Sequence, residues 1–361
     1  MKVIQDNQIY LYQRYGGVSR YFVELHSALR NLNDDNYYDI LAPIHFNAHL
    51  KQKKDNGLYL PFSSNKFNIN QYIRNTSDYL SRKKIRNLKP DLIHETFYRN
   101  DDPWVKSIPR VTTIHDLIRE KYSQHQKKIE RKLNSINRSE SIVCVSHNTK
   151  NDLLEYYPFL KQKKIYVVYV GVNKSIFYDS SSFKKENKIL YVGHRDGYKN
   201  FSVLLKAFKI SKNLKNHFQL IAIGGGKFTS QEREIITRYG INKNVFHVEG
   251  NDSYLADLYR KCISMVYTSK YEGFGSPILE SMSSGCVVFA NNTPALKEAG
   301  GDAAIYFNTE SAEDLADTLE KYLNDSEKMR KFRSDGIKRS TEFSWEKTAL
   351  ETKQIYKDII S

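Results

Sequence analysis

Ser264-Met-Val-Tyr267, Thr268-Ser-Lys-Tyr-Glu272-Gly-Phe-Gly275, Ser276-Pro-Ile-Leu-Glu280 and Cys286-Val-Val-Phe-Ala290 read in turn as strand, loop, helix start and strand. A strand, a helix and a second strand in this order make a parallel pair with a right-handed crossover. Within the loop, Gly273 and Gly275 permit tight turns and close approach of a ligand to the backbone. Ser276 suits a helix N-cap and Pro277 the first helical position. The open N–H groups and dipole of that helix start suit a diphosphate. Glu272 and Glu280 lie on the loop and about one turn into the helix. A carboxylate accepts two hydrogen bonds at once and so suits the paired hydroxyls of a ribose or sugar. The plain alternative is a capped helix with two solvated acids, which leaves the Gly-Phe-Gly between the glutamates without a purpose.

Working outward, the same alternation runs almost from end to end. Strands are expected at 2–5, 37–42, 91–94, 110–114, 141–145 and 165–169, with helical patterns at 18–31, 70–88 and 146–156. A second series begins at Lys188–Gly193 and continues near 218–223, 244–248, 262–267 and 286–290, each strand followed by a helical pattern. Residues 173–187, with Ser180-Ser-Ser182 and Lys184-Lys185, carry no periodicity and are expected to be a linker. The expected class is α/β: two Rossmann-like, doubly wound domains, 1–172 and 188–343, facing across a cleft. Ligands of such sheets sit outside the carboxyl ends of the strands. The amphipathic segment 344–361 is expected to form a C-terminal helix that packs back on the first domain.

Composition limits the function. The 361 residues, 40% hydrophobic, are too many for one ordinary core and enough for two. No apolar run approaches the length of a membrane span, and Met1–Asp6 lacks the apolar stretch of a signal peptide, so a cytoplasmic protein is expected. Cys144, Cys262 and Cys286 stand far apart inside apolar runs, without metal-ligand spacing. The net charge is +15, and residues 51–150 hold 21 basic against 10 acidic residues. That asymmetry points to nucleic acid, an anionic membrane or a phosphate-bearing substrate, or only to a solvated basic face.

Three more strand ends carry chemistry. In Tyr191-Val-Gly193-His-Arg195-Asp-Gly-Tyr-Lys199-Asn200, two cations hang over a strand's carboxyl end. A departing diphosphate gains charge there, and fixed cations stabilise it. Gly16 and Gly17 open a helix after the first strand, with Arg20 one turn on. His115 and Asp116 close the strand 110–114, and Glu95 closes 91–94. Tight turns, caps and surface charges are the simpler readings of these groups. No Asp-x-Asp, Walker-type loop or nucleophile elbow is present.

The Glu272 and Glu280 pair, with seven residues between them, with the following Gly-Cys-Val-Val-Phe and Pro294–Gly301, resembles the signature of retaining glycosyltransferases of family 4. The resemblance covers nearly the whole chain and is strongest over 188–310. It implies the GT-B fold. By resemblance, Glu280 holds the nucleotide ribose and Glu272 the donor sugar. Gly273, Phe274, Gly275 and Ser276 lie near sugar and phosphates, and Arg195 and Lys199 face the leaving diphosphate. The family's arginine commonly follows the glycine directly, where His194 stands here. Gly16, Gly17, Gly193, Gly224 and Gly250 are assigned to the donor side, His115 to the sugar, and Arg20 and Glu95 to the acceptor.

The implied activity is retaining, metal-independent transfer of a hexose or deoxyhexose, mannose among them, from a nucleotide-diphosphate sugar to a glycan or lipid-linked acceptor in surface polysaccharide synthesis. No cofactor is expected. An anionic membrane surface is a further expected partner, through the basic, partly apolar segments 70–88 and 123–138, and nucleic acid is not expected. A sugar-nucleotide epimerase on the same fold and a basic nucleic-acid-binding protein are the competing classes.

Overall fold

A computed structural model describes residues 1–51, 57–60, 67–99, 107–122, 125–179 and 183–361, with the backbone alone for 67–69. It divides into two compact units, Met1–Gly171 with Trp345–Ser361, and Val172–Ser344.

The first unit is built on β1 (Lys2–Gln5), β2 (Tyr37–Ile40), a short parallel pair β3 (Ile44–His45) and β4 (Leu58–Tyr59), then β5 (Leu92–Glu95), β6 (Arg110–Ile114), β7 (Ser141–Cys144) and β8 (Lys164–Val167). Its main sheet runs β2-β1-β5-β6-β7-β8, all parallel. β5, β6 and β7 are buried throughout, because helices cover both faces of a parallel sheet.

The helix Gly17–Arg30 presents Tyr21, Phe22, Leu25, Ala28 and Leu29 inward at helical spacing. The helix Trp345–Ile360 packs on it. Trp345 lies 5.6 Å from the Tyr21 ring, the Tyr356 hydroxyl 2.7 Å from His94 Nδ1, and Lys353 pairs with Asp34 at 2.6 Å.

The basic segments 70–88 and 123–138 form helices whose buried faces are partly polar. In Phe67–Leu88 the inward row is Ser77, Ser81 and Ile85, whose hydroxyls donate to the carbonyls of Ile44 and Leu41. Tyr72 (74% exposed), Tyr79 and Leu80 therefore face solvent, beside Lys83, Lys84 and Arg86. The second helix runs Gln126–Arg138, and residues 123–124 of its expected span lie outside the described residues. There Ile136 is buried, and so is Lys132, which pairs with Glu120 at 2.8 Å and is no surface cation.

The second unit contains β9 (Glu186–Val192), β10 (Gln219–Ile223), β11 (Val245–Val248), β12 (Cys262–Tyr267), β13 (Val287–Asn291) and β14 (Ile305–Phe307). The order β11-β10-β9-β12-β13-β14, all parallel, is the doubly wound order of dinucleotide-binding sheets. The winding reverses between β9 and β12, so the loops after these two strands flank the crevice where such sheets bind ligands. The helices Phe201–Ile210 and Ala312–Leu323 bury Leu204, Phe208, Leu315 and Leu319 in the core of this unit.

The expected linker 173–187 belongs to this unit. Phe177 is buried, its carbonyl accepts from Ser283 Oγ at 2.7 Å, Asp179 pairs with Arg333 at 2.7 Å, and Lys185 donates to the Tyr259 carbonyl at 3.1 Å. Residues 180–182 lie outside the described residues. Polar composition concealed this packing, which joins residues more than 70 positions apart. The unit closes where Val172 bridges Ser344.

Candidate functional site

Gly193 follows β9 directly at φ +122°, a left-handed-side conformation that glycine alone adopts cheaply. The Tyr191 hydroxyl donates to the His194 carbonyl, fixing the turn. A single 3₁₀ turn, Gly197–Lys199, follows. Its backbone is tied to the loop after β12, with Thr268 Oγ1 donating to the Lys199 carbonyl at 2.6 Å and Lys270 N to the Tyr198 carbonyl at 2.8 Å. Asn291, the last residue of β13, donates to the Ser269 carbonyl at 3.0 Å and so holds the same loop from the other side. Three neighbouring strand ends thus fix one loop.

On that scaffold Lys199 and Glu272 meet. Lys199 Nζ lies 2.5 Å from Glu272 Oε1, and the Tyr267 hydroxyl donates to the same oxygen at 2.9 Å. Among the described residues no other hydrogen bond reaches the Glu272 carboxylate. Lys199 also sits over the rings of Tyr198 and Tyr267, at 5.2 and 5.6 Å, where an ammonium is stabilised by the ring faces. Burial, then the neighbouring Glu272 charge, pushes the Tyr267 phenol far above its ordinary pKa of 10, so it stays a donor.

The helix begins one residue earlier than expected. Gly275 is the N-cap at φ +104°, and Ser276 and Pro277 are its first two residues, so Ser276 makes no side-chain cap. A side chain at 275 would place its Cβ 2.9 Å from Leu296 Cδ2, so close packing and dihedral both select glycine. Glu280 is buried in the second turn, at 4% exposure. Phe274, assigned to the donor, is buried with its ring 5.7 Å from Phe343 and anchors the loop in the core of the unit.

Arg195 is placed otherwise than the sequence suggests. Its guanidinium is turned into the unit, donating to Glu232 Oε1 at 2.7 Å and to the carbonyls of Gly224, Gly226 and Lys227 at 2.5, 2.8 and 3.1 Å. The Phe228 ring lies 5.0 Å beneath it. A planar cation with five donors satisfies a cluster of carbonyls that a glycine-rich turn leaves open. Gly224 packs against Gly193, where an added Cβ would lie 3.2 Å from the Gly193 carbonyl oxygen. Gly250 packs against Tyr254, whose ring atom Cδ1 would lie 2.2 Å from an added Cβ.

In the first unit, Gly16 precedes and Gly17 begins the helix Gly17–Arg30, and Arg20 is partly exposed on its first turn. His115 stands edge-on to Tyr21 and Phe22 of that helix, with centroids at 4.9 and 5.8 Å. Its Nε2 is buried without a hydrogen-bond partner among the described residues. Burial, helped by the Lys132 charge, pushes its pKa down to about 3, so the ring is neutral near pH 7. Glu95, expected on the acceptor side, is turned inward and paired. It is 1% exposed, and its carboxylate is filled by Arg110 at 2.9 Å and by both Nε and Nη2 of Arg138 at 2.7 and 2.8 Å. A buried carboxylate at a strand end demands such pairing.

Sequence reasoning missed Tyr267, Thr268 and Asn291. Each stands at the carboxyl end of a strand or just beyond it, which is the signal that could have found them.

Comparison with known proteins agrees with this geometry. Residues 172–339 match the profile described as "Glycosyl transferases group 1", and residues 15–175 the profile "Glycosyltransferase Family 4".

The chain belongs to the family 4 type of glycosyltransferases.

An uncharacterized glycosyltransferase of Methanocaldococcus jannaschii is 30% identical over 61% of this chain and 60% of its own length. A serotype-specific mannosyltransferase of Escherichia coli is 24% identical over 73% of this chain, and an O-antigen chain mannosyltransferase of Salmonella typhimurium 28% identical over 53%. The chain spans 36% and 56% of the length of these two. The solved structure of Anabaena HepE with UDP and glucose shares 16% identity and a TM-score of 0.75 over 99% of this chain and all of that one. At that identity the likeness is one of fold, and the fold is GT-B.

Proposed function

We propose that this chain transfers a hexose, mannose first among them, from a nucleotide-diphosphate donor to a hydroxyl of a glycan or lipid-linked acceptor, with retention at the anomeric carbon and without a metal. The observation that carries the reading is the Lys199 and Glu272 pair at the winding reversal of the second sheet, beside the helix start at Gly275. Breaking the glycosidic bond puts charge on the leaving diphosphate. Lys199 and the N–H groups of Gly275 and Ser276 are the groups at hand to stabilise it. Glu272 orients the sugar hydroxyls and Glu280 the ribose. No carboxylate is assigned as nucleophile. The leaving phosphate takes the acceptor's proton on the face it departs from, and retention follows. Mannose is preferred because two of the relatives above are mannosyltransferases. A nucleotide sugar is preferred because HepE was solved with UDP and glucose.

Surface polysaccharide synthesis places acceptors on lipid. The outward row of Tyr72, Tyr79, Leu80, Lys83, Lys84 and Arg86 suits an anionic membrane face, since each well-placed cation adds roughly 1 kcal/mol of attraction. No helix among the described residues is long and apolar enough to cross a membrane.

The test is a melting-temperature screen of GDP, UDP and dTDP, since a ligand of the folded state raises the midpoint. The matching sugar nucleotide is then offered with acceptor, and the anomeric configuration of the product read by NMR. Retention supports the proposal. Inversion, or conversion of the donor sugar without any acceptor as an epimerase would give, overturns it.

A further inference from the structure

Glu272 Oε1 receives two donors of different character. One is Lys199, a flexible four-carbon stem with a mobile charge. The other is the Tyr267 hydroxyl, carried on a ring that is 3% exposed and rigid at the end of β12. With the carboxylate's first oxygen so occupied, Oε2 is left for a ligand hydroxyl. The proposed reaction calls Lys199 elsewhere. A diphosphate carries more negative charge than one carboxylate, so when donor binds, the ammonium is drawn off Glu272 toward phosphate. The Lys199 main chain does not follow, because Thr268 holds its carbonyl. Glu272 would then keep one of its two partners.

We propose that Tyr267 is the positioning residue that holds Glu272 in place toward the donor sugar once Lys199 has turned to the diphosphate. This rests on the function proposed above. Tyr267 reaches no substrate itself. It acts through Glu272, at the cost of one buried phenol that must always have its acceptor.

Tyr267→Phe removes the hydroxyl and keeps the ring that packs in the unit and faces Lys199. Affinities for GDP and GDP-mannose, or for the pair that the melting screen selects, are measured by calorimetry in the wild type, in Tyr267→Phe, in Glu272→Ala and in the double variant. The expected result is an unchanged GDP affinity in Tyr267→Phe, with the extra affinity for the sugar nucleotide and kcat each falling about 10-fold, the value of a hydrogen bond to a charged group. In the Glu272→Ala background, the tyrosine change should alter nothing further. An unchanged sugar-nucleotide affinity and kcat in Tyr267→Phe would overturn the inference. So would an equal loss in both backgrounds, or a loss shared by GDP, each of which marks a merely structural hydroxyl. If Glu272→Ala itself binds and turns over normally, the functional reading falls, and this inference with it. If Glu272→Ala is impaired and Tyr267→Phe is not, the inference alone fails.

Discussion

Arg195 and Glu232, 37 positions apart, form a near-buried ion pair, Nε to Oε1 at 2.7 Å, with side chains 3% and 18% exposed. Glu232 is also the third helical residue of a capping box, its carboxylate accepting from Thr229 N while Thr229 accepts from Glu232 N. One arginine thus joins the turn after β9, the glycine turn after β10 and the helix Ser230–Arg238.

Arg195→Met should therefore lower stability by about 2 kcal/mol, less than the roughly 3–5 kcal/mol of a fully buried pair because Glu232 keeps some contact with water. Burial works to raise the Glu232 pKa, but hydrogen bonds from Arg195 and Thr229 outweigh it, and the net shift is downward from 4.5. A carboxyl with a depressed folded pKa gives stability that is full above its unfolded value and is lost as pH falls through the folded one. Urea midpoints should differ most between wild type and Arg195→Met at pH 7, and the gap should narrow, without closing, as pH falls below 4.5, since the three carbonyl bonds of Arg195 do not titrate. A gap that does not change with pH would assign the whole loss to those carbonyl bonds and to packing on Phe228.

A second prediction concerns the two glutamates. Glu280→Ala should weaken nucleoside diphosphate binding by ~1.5–3 kcal/mol, through loss of an ionised partner for the ribose. Glu272→Ala should spare the bare diphosphate and lower kcat. Calorimetry with and without the sugar separates the two, and normal binding and turnover in both variants would remove them from the site.

Lys199→Met should cost at least ~10-fold in rate, by lost stabilisation of the leaving group. Activity should survive a chelator. Rates measured in EDTA check this, and a strict requirement for added Mg²⁺ or Mn²⁺ would speak against Lys199 as the charge that matters.

Acid should destabilise the first unit through its buried histidines. Burial holds His115 and His94 at about 3, against 6.5 unfolded, with charge from Lys132 and from His115 itself adding to the respective shifts. Below pH 6.5 the unfolded chain takes up protons that the native one refuses. Each histidine then removes up to ~1.4 kcal/mol per pH unit until the native group titrates near pH 3. His115→Gln should flatten the fall of the melting temperature between pH 6.5 and 4, and an unchanged slope would place the titration elsewhere.

Vesicle sedimentation tests the exposed row on Phe67–Leu88. Binding should rise with anionic lipid, fall with salt, and be lost in Lys83→Glu with Lys84→Glu, while nucleotide affinity holds. Lys132→Ala should leave vesicle binding alone and lower stability, since the Glu120 carboxylate then keeps the Tyr157 hydroxyl but loses its cation.

The sheets were legible because parallel strands buried on both faces read as unbroken apolar runs, as Ile142–Val145 and Val287–Ala290 do. β14 was not, since three residues give no period, and neither was the pair β3 and β4. Lys199 and Glu272 were legible as candidates because each follows a strand end flanked by glycine. That they touch is a matter of strand order, since β9 and β12 are neighbours only once β10 and β11 have been wound to the other side. Arg195 and Glu95 misled for one reason. A charged residue at a strand end looks the same in sequence whether it faces a ligand or a partner, and the partners, Glu232 for one and Arg110 with Arg138 for the other, are 15 to 43 positions away.

The bridge between Val172 and Ser344 brings the two ends of the second unit together, so that unit is an insertion into the first. Synthesis meets this as a matter of timing. As the ribosome works through residue 344, the second unit has its whole sheet in hand. The first unit, begun earlier, still lacks the helix that supplies Tyr356 to His94 and Trp345 to Tyr21. The face of Gly17–Arg30 that this helix covers stays open until residues 345–361 emerge, which takes on the order of seconds at ordinary elongation rates. The half that starts first therefore finishes last, and a nascent chain stalled near residue 344 is the form most exposed to chaperones and to aggregation.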